Sequence, residues 1–226
     1  MQHRLFGAVV AAILIAASPR AWAAADKLVY VDFERVENGR PVSARGGAID
    51  LWSYEEDKVH KSTFKGAAVD PPAPELVRVK ADDPNHAGKF DYALEAPNRW
   101  AGVAIEIHGL PDASGVPQSD DVSVYKFLSL QVYATGIRIL KLETRSNESG
   151  KDTLAVHPMM TFAVKPGLNT YRVPLSGFTQ PAGTELRVDP KNVLKKLTSI
   201  ALIAFCDQCE QIQQGIIVID NVVFEK

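Results

Sequence analysis

The chain has 226 residues, 46% hydrophobic and 23% charged, with a formal net charge of −2. That balance lacks the clustered cations on which broad nucleic-acid binding depends. The length suits one domain with a substantial core.

Residues 1–23 read as a secretory signal peptide. His3 and Arg4 form a short basic start, Leu5 to Ala17 an apolar stretch, and Ala21-Trp22-Ala23 an A-x-A cleavage pattern. The apolar stretch is too short for a comfortable bilayer span, and no other stretch is suited to one. No cysteine follows the cleavage region, which argues against a lipoprotein anchor. The expectation is an exported protein, periplasmic or secreted, whose mature part is residues 24–226. Its charge, without Arg4 and Arg20, falls from −2 to −4.

The first mature strand is Leu28 to Glu34, with Val29, Val31 and Phe33 on one face and Tyr30, Asp32 and Glu34 on the other. Residues 35–75 are rich in Gly, Lys, Asp and Ser, with a strand-like piece at Ala48–Tyr54 and a loop at Asp70–Pro74. Glu75–Lys80 and Phe90–Ala96 read as strands separated by the turn residues 81–86. Arg99 to His108 follows, with Val103, Ile105 and Ile107 on one face and Trp100, Ala104, Glu106 and His108 on the other. A polar loop, 109–121, leads into what reads as a long hairpin from Val122 to Arg145, turning at Thr135-Gly136. In its first strand Leu128, Leu130 and Val132 alternate with Ser129, Gln131 and Tyr133. In its second, Leu140 and Leu142 alternate with Ile139, Lys141, Glu143 and Arg145.

Past a turn-rich loop at 146–150, Thr153–Val164 is strand-like but interrupted by Pro158, and Asn169–Leu175 is a strand. Asp189-Pro190 opens a single helical turn with proline at its first position. Ser199–Phe205 and Gly215–Phe224 are apolar strands. No long segment has helical periodicity, so the fold class is all-β, a two-sheet β-sandwich or jelly roll.

Cys206 and Cys209 form a CxxC, a spacing that admits a redox pair, half a zinc site or a small disulfide. It follows a strand rather than opening a helix, and no second cysteine pair completes a zinc site. In an oxidising compartment the favoured reading is a local Cys206–Cys209 disulfide. His60, His86, His108 and His157 show no metal-ligand spacing and read as surface or hydrogen-bonding residues. No Ser-His-Asp motif or Gly-rich phosphate loop is present.

Several short pieces together resemble a known family: Val31-Asp32-Phe33-Glu34, Arg99-Trp100-Ala101-Gly102-Val103, Asp121 through Leu130, Asn169 through Phe178, and Ile219-Asp220-Asn221-Val222. In this order they are similar to the galactose-binding-like jelly roll of carbohydrate-binding module family eleven. Its relatives include the complex I intermediate-associated thirty-kilodalton domain. The resemblance covers nearly all of the mature chain. It implies a non-catalytic module, not an enzyme, with a ligand cleft on the concave sheet and one structural calcium ion. The calcium candidates are Asp32, Glu34 and Asp220, since the first and last strands of that jelly roll are neighbours.

A polysaccharide or oligosaccharide needs aromatic faces for its C–H surfaces and forked polar groups for its hydroxyls. The outward candidates are Trp100, Glu106, His108, Gln131, Tyr133, Lys141, Glu143 and Arg145. Trp52 and Tyr54 either rim that cleft or plug the end of the sandwich. Two other functions stay open: a protein-interaction or assembly role like that of the complex I relatives, and a jelly-roll glycosidase using Glu106 with Glu143.

Overall fold

Short β-branched and aromatic runs, punctuated by Gly, Pro and Asp, give almost nothing but strands. The computed structural model describes residues 26–53, 62–95, 99–147, 157–181, 188–206 and 212–226. The predicted leader, Tyr54, His60 and Cys209 lie outside them. The strands are β1 (Lys27–Val31), β2 (Val36–Glu37), β3 (Arg40–Pro41), β4 (Ile49–Ser53), β5 (Ser62–Lys65), β6 (Glu75–Arg78) and β7 (His86–Leu94). They continue with β8 (Arg99–Glu106), β9 (Phe127–Ala134), β10 (Ile139–Ser146), β11 (Met159–Ala163), β12 (Asn169–Pro174), β13 (Leu197–Cys206) and β14 (Gln213–Glu225). Among the described residues there is one α-helix, α1 (Pro190–Lys195), and it starts where the sequence places it. Asp189 is its N-cap, accepting from the Lys191 amide at 2.9 Å.

Two antiparallel sheets form the sandwich. One runs β12-β9-β14-β7-β5, with β1 added on β14 and β6 on β7; the other runs β11-β10-β13-β8-β4. Period-two alternation turns one face of each sheet inward. Leu128, Leu130 and Val132 of β9 and Leu140 and Leu142 of β10 meet Val103, Ile105, Leu202, Ile217 and Ile219 in one core. The all-β sandwich predicted from the sequence is what the chain adopts.

Two sequence readings are corrected. The Val122–Arg145 segment is not a hairpin: β9 belongs to one sheet and β10 to the other. The turn is fastened to the start of β14, because the Thr135 amide donates to the Ile216 carbonyl at 3.0 Å and the Ile216 amide to Thr135 Oγ1 at 3.0 Å. Gly136, at φ +74°, lies so close to that strand that a Cβ would sit 2.0 Å from the Gln214 carbonyl oxygen. From this anchor the chain crosses between layers instead of folding back within one. The faces of β1 also differ from strict alternation. A register irregularity between Val29 and Val31 leaves Val29 exposed and buries both Tyr30 and Val31.

Candidate functional site

The outer face of the five-stranded sheet carries the candidate site. On β8, Ala101, Val103 and Ile105 turn inward, so Trp100, Ala104 and Glu106 turn outward. On β4, Ile49 and Leu51 turn inward, which places Asp50 and Trp52 outward beside them. On β10 the outward row is Lys141, Glu143 and Arg145. These rows, joined by Ile203 of β13, enclose a cleft of about 470 Å³ lined by Asp50, Trp52, Trp100, Lys141, Glu143 and Arg145.

Two indoles form one wall. Trp52 and Trp100 meet edge to face, with ring centroids 4.1 Å apart. The register partner of Trp52 is Gly102, which puts no side chain between them. Opposite stands a charged fork. Glu143 accepts from Arg145 at 2.9 Å and pairs with Lys141 at 3.0 Å. The Arg145 guanidinium lies 5.0 Å from the Trp52 ring centroid and the Lys141 ammonium 4.9 Å from that of Phe205. The fork is therefore tied to the aromatic wall.

The electrostatics follow from this packing. Burial works to raise the Glu143 pKa, but Lys141 and Arg145 outweigh it and hold the carboxyl below its ordinary value. His157, just before β11, has its pKa lowered first by burial and then by the cations Arg145 and Lys141, against the opposing pull of Glu143. Asp50 is ion-paired with Arg40, yet burial still pushes its pKa up. Desolvation, and then Asp50, raise the Glu106 carboxyl.

Of the eight predicted ligand-binding residues, Trp100, Lys141, Glu143 and Arg145 come together in the cleft. Glu106 shares their face but lies two register steps past Ala104, at the end of the sheet. His108 lies beyond the end of β8, its Nε2 3.1 Å from Asp120 Oδ1, and Arg45 bonds the same carboxylate oxygen. Gln131 and Tyr133 are the correction: they project from β9 on the opposite sheet, paired with Asp220 and Val218 of β14. They were grouped with Lys141 by the presumed hairpin, and they leave the group with it. Trp52 rims the cleft instead of plugging an end. Asp50 and His157 were missed. The Ile49–Ser53 alternation already turned Asp50 outward, but no local signal places the segment before β11 against β10.

The three calcium candidates lie where β1 leads out and β14 bends. The Asp220 side chain is fully buried and accepts from Asn85 Nδ2 at 2.9 Å, the Asn221 amide at 2.7 Å and Asn221 Nδ2 at 2.8 Å. Glu34 accepts from the His86 amide and from its ring nitrogen at 3.0 Å, and Asp32 from the Glu34 amide at 3.2 Å. Phe33 and Asn221 both have positive φ. Burial raises the Asp220 pKa against its amide donors, and the negative field of Asp32 and Glu34 raises it further. The three carboxylates offer hard oxygen ligands, the chemistry calcium selects, and a dication would relieve that field. As they stand, no three His, Cys, Asp or Glu side chains among the described residues converge closely enough to hold a metal ion.

Cys206 ends β13, buried; its predicted disulfide partner, Cys209, lies outside the described residues. No described helix is long and apolar enough to cross a membrane.

Neither a protein-family model nor a curated protein matches the sequence. Solved structures do match the fold. A family 11 carbohydrate-binding module from Clostridium thermocellum, in complex with a β-1,3-1,4-mixed-linked tetrasaccharide, superposes with a TM-score of 0.52 at 16% identity over 88% of this chain and 95% of the module. The family 11 module of the cellulosomal cellulase Lic26A-Cel5E from the same organism gives 0.51 at 15% identity, covering 88% and 94%. A family 30 module of the cellulosomal cellulase Cel9D-Cel44B, also from C. thermocellum, gives 0.50 at 8% identity, covering 80% and 94%. The chain has the jelly-roll sandwich of these carbohydrate-binding modules.

Proposed function

We propose that this is an exported, non-catalytic carbohydrate-binding protein that holds a polysaccharide or oligosaccharide in the cleft of the five-stranded sheet. One observation carries the reading: two indoles and a fixed Lys141–Glu143–Arg145 fork line a single open cleft. Indole surfaces suit the C–H faces of pyranose rings, and a carboxylate beside a guanidinium suits vicinal hydroxyls. Because the fork is tied by its own ion pairs, little side-chain ordering is left for the ligand to impose. The solved module with a mixed-linked tetrasaccharide makes β-glucans the first ligands to try.

The same geometry disfavours a glycosidase. Glu143 is committed to two cations, and Glu106 stands two strands across and two register steps along, about 10 Å away by strand spacing alone. That exceeds both the spacing of a retaining pair, about 5 Å, and that of an inverting pair, about 6.5–9.5 Å. A protein-docking face would be expected to lack such a polar fork. Asp32, Glu34 and Asp220 would hold a structural calcium ion between the first and last strands only by drawing closer together than they now stand, and Cys206 with Cys209 would close a small disulfide after β13.

A glycan array probed with residues 24–226, with and without EDTA, tests the reading. Binding to a related set of glycans is expected. No binding by a protein shown to be folded would overturn it.

A further inference from the structure

A second concavity, wider than the cleft at about 830 Å³, opens at the end of the sandwich where β9 begins, β12 ends and α1 packs. Its lining shares no residue with the cleft. The floor is apolar, built from Tyr125, Phe127, Leu175, Phe178 and Leu194. Three lysines line it as well, Lys126, Lys191 and Lys195, and none forms an ion pair among the described residues. The one acid of the lining, Asp189, has its Oδ1 on the Lys191 amide as the helix cap.

Two features narrow the occupant. The aromatic rings offer no platform for a sugar: Tyr125 is 8% exposed and packs against Phe224, and the Arg172 guanidinium lies 3.3 Å from the centroid of the Phe127 ring. An extended peptide is disfavoured too, because Pro174 and Pro190 in the walls have no N–H to donate to it. What remains is a flexible apolar body with an anionic end, matching an apolar floor lined also by three lysines without an ion pair among the described residues. We propose that this groove binds a free aliphatic carboxylate of medium chain length, its tail over Leu175, Phe178 and Leu194 and its carboxylate among Lys126, Lys191 and Lys195.

The test is titration of ¹⁵N-labelled protein with hexanoate, octanoate and decanoate. Shifts should concentrate at residues 123–127, 174–178 and 190–195, with affinity rising by up to about fourfold per added methylene. The triple variant Lys126→Gln/Lys191→Gln/Lys195→Gln should bind decanoate at least tenfold more weakly, with an unchanged Tm. Neutral decanamide should bind more weakly than decanoate. The proposal is overturned if decanoate causes no shifts, if the shifts fall elsewhere, if the triple variant binds as well as the wild type, or if the decanamide binds equally. Binding to anionic phospholipid vesicles without binding to free decanoate would also overturn it, assigning the groove to a membrane surface. None of these outcomes depends on the glycan cleft.

Discussion

Replacing Glu143 by Ala should destabilise the domain by an amount its two contacts set. The carboxylate is only 13% exposed and is bonded at 2.9 Å to Arg145 and 3.0 Å to Lys141, which are themselves 25% and 14% exposed. A hydrogen bond to a charged group contributes roughly 1.5–3 kcal/mol. Removing the shared anion also leaves two cations side by side in a poorly hydrated cleft, and the loss of one partner from a buried pair costs about 3–5 kcal/mol. The partial exposure of Arg145 lowers that figure, and deleting the carboxylate also removes its own burial cost. The net expectation is about 3 kcal/mol. For a domain of this size that lowers Tm by roughly 6–12 °C, readable by calorimetry. The triple variant Lys141→Met/Glu143→Leu/Arg145→Met removes the charges together and should return to within about 1–2 kcal/mol of the wild type. A Glu143→Ala protein melting within 1–2 °C of the wild type would show that the fork is not formed in solution, and the preorganisation argument would fall with it.

Trp100→Ala should weaken glycan binding at least tenfold while the domain still melts cooperatively, because the indole stands on the outer face; loss of the thermal transition would instead place it in the core. Tyr133→Ala and Gln131→Ala, on the opposite sheet, should bind glycan like the wild type in the same titration. Stability should fall on acidification in two legs. The folded pKa of His157 is lowered, so its contribution is complete above the ordinary histidine value, about 6.5, and is lost as pH falls below it; Glu143 does the same below about 4.3. A His157→Gln protein should lack the first leg in a pH series of denaturant melts. EDTA should lower Tm and excess calcium restore it if Asp32, Glu34 and Asp220 hold the ion; an Asp32→Asn/Glu34→Gln protein with an unaltered response to EDTA would contradict that assignment.

Alternation in the sequence revealed the faces of the strands but not their partners. It sorted Leu128, Leu130 and Val132 inward and Lys141, Glu143 and Arg145 outward, and every one of these sits where its parity demands. Period two says nothing about which sheet a strand joins. β9 and β10 part because Thr135 and Gly136 are pinned to the start of β14, about eighty residues further along the chain. That long-range contact moved Gln131 and Tyr133 to the wrong side of the molecule. The same limit hid Asp50 and His157, whose sequence neighbourhoods are ordinary and whose meaning comes from lying beside β8 and β10. At Val29 a local bulge defeated parity itself.

The central claim is that the Trp52–Trp100 cleft receives a sugar, and indole NMR tests it most directly. The sequence has three tryptophans, and Trp22 falls in the predicted leader, so residues 24–226 give two indole signals. Titration with a mixed-linked β-glucan tetrasaccharide, followed by a panel of other glycans, should shift both together with the backbone amides of β10. A folded protein whose Trp52 and Trp100 indoles stay unmoved while a glycan binds, or whose shifts fall on β9 and β14, would contradict the account.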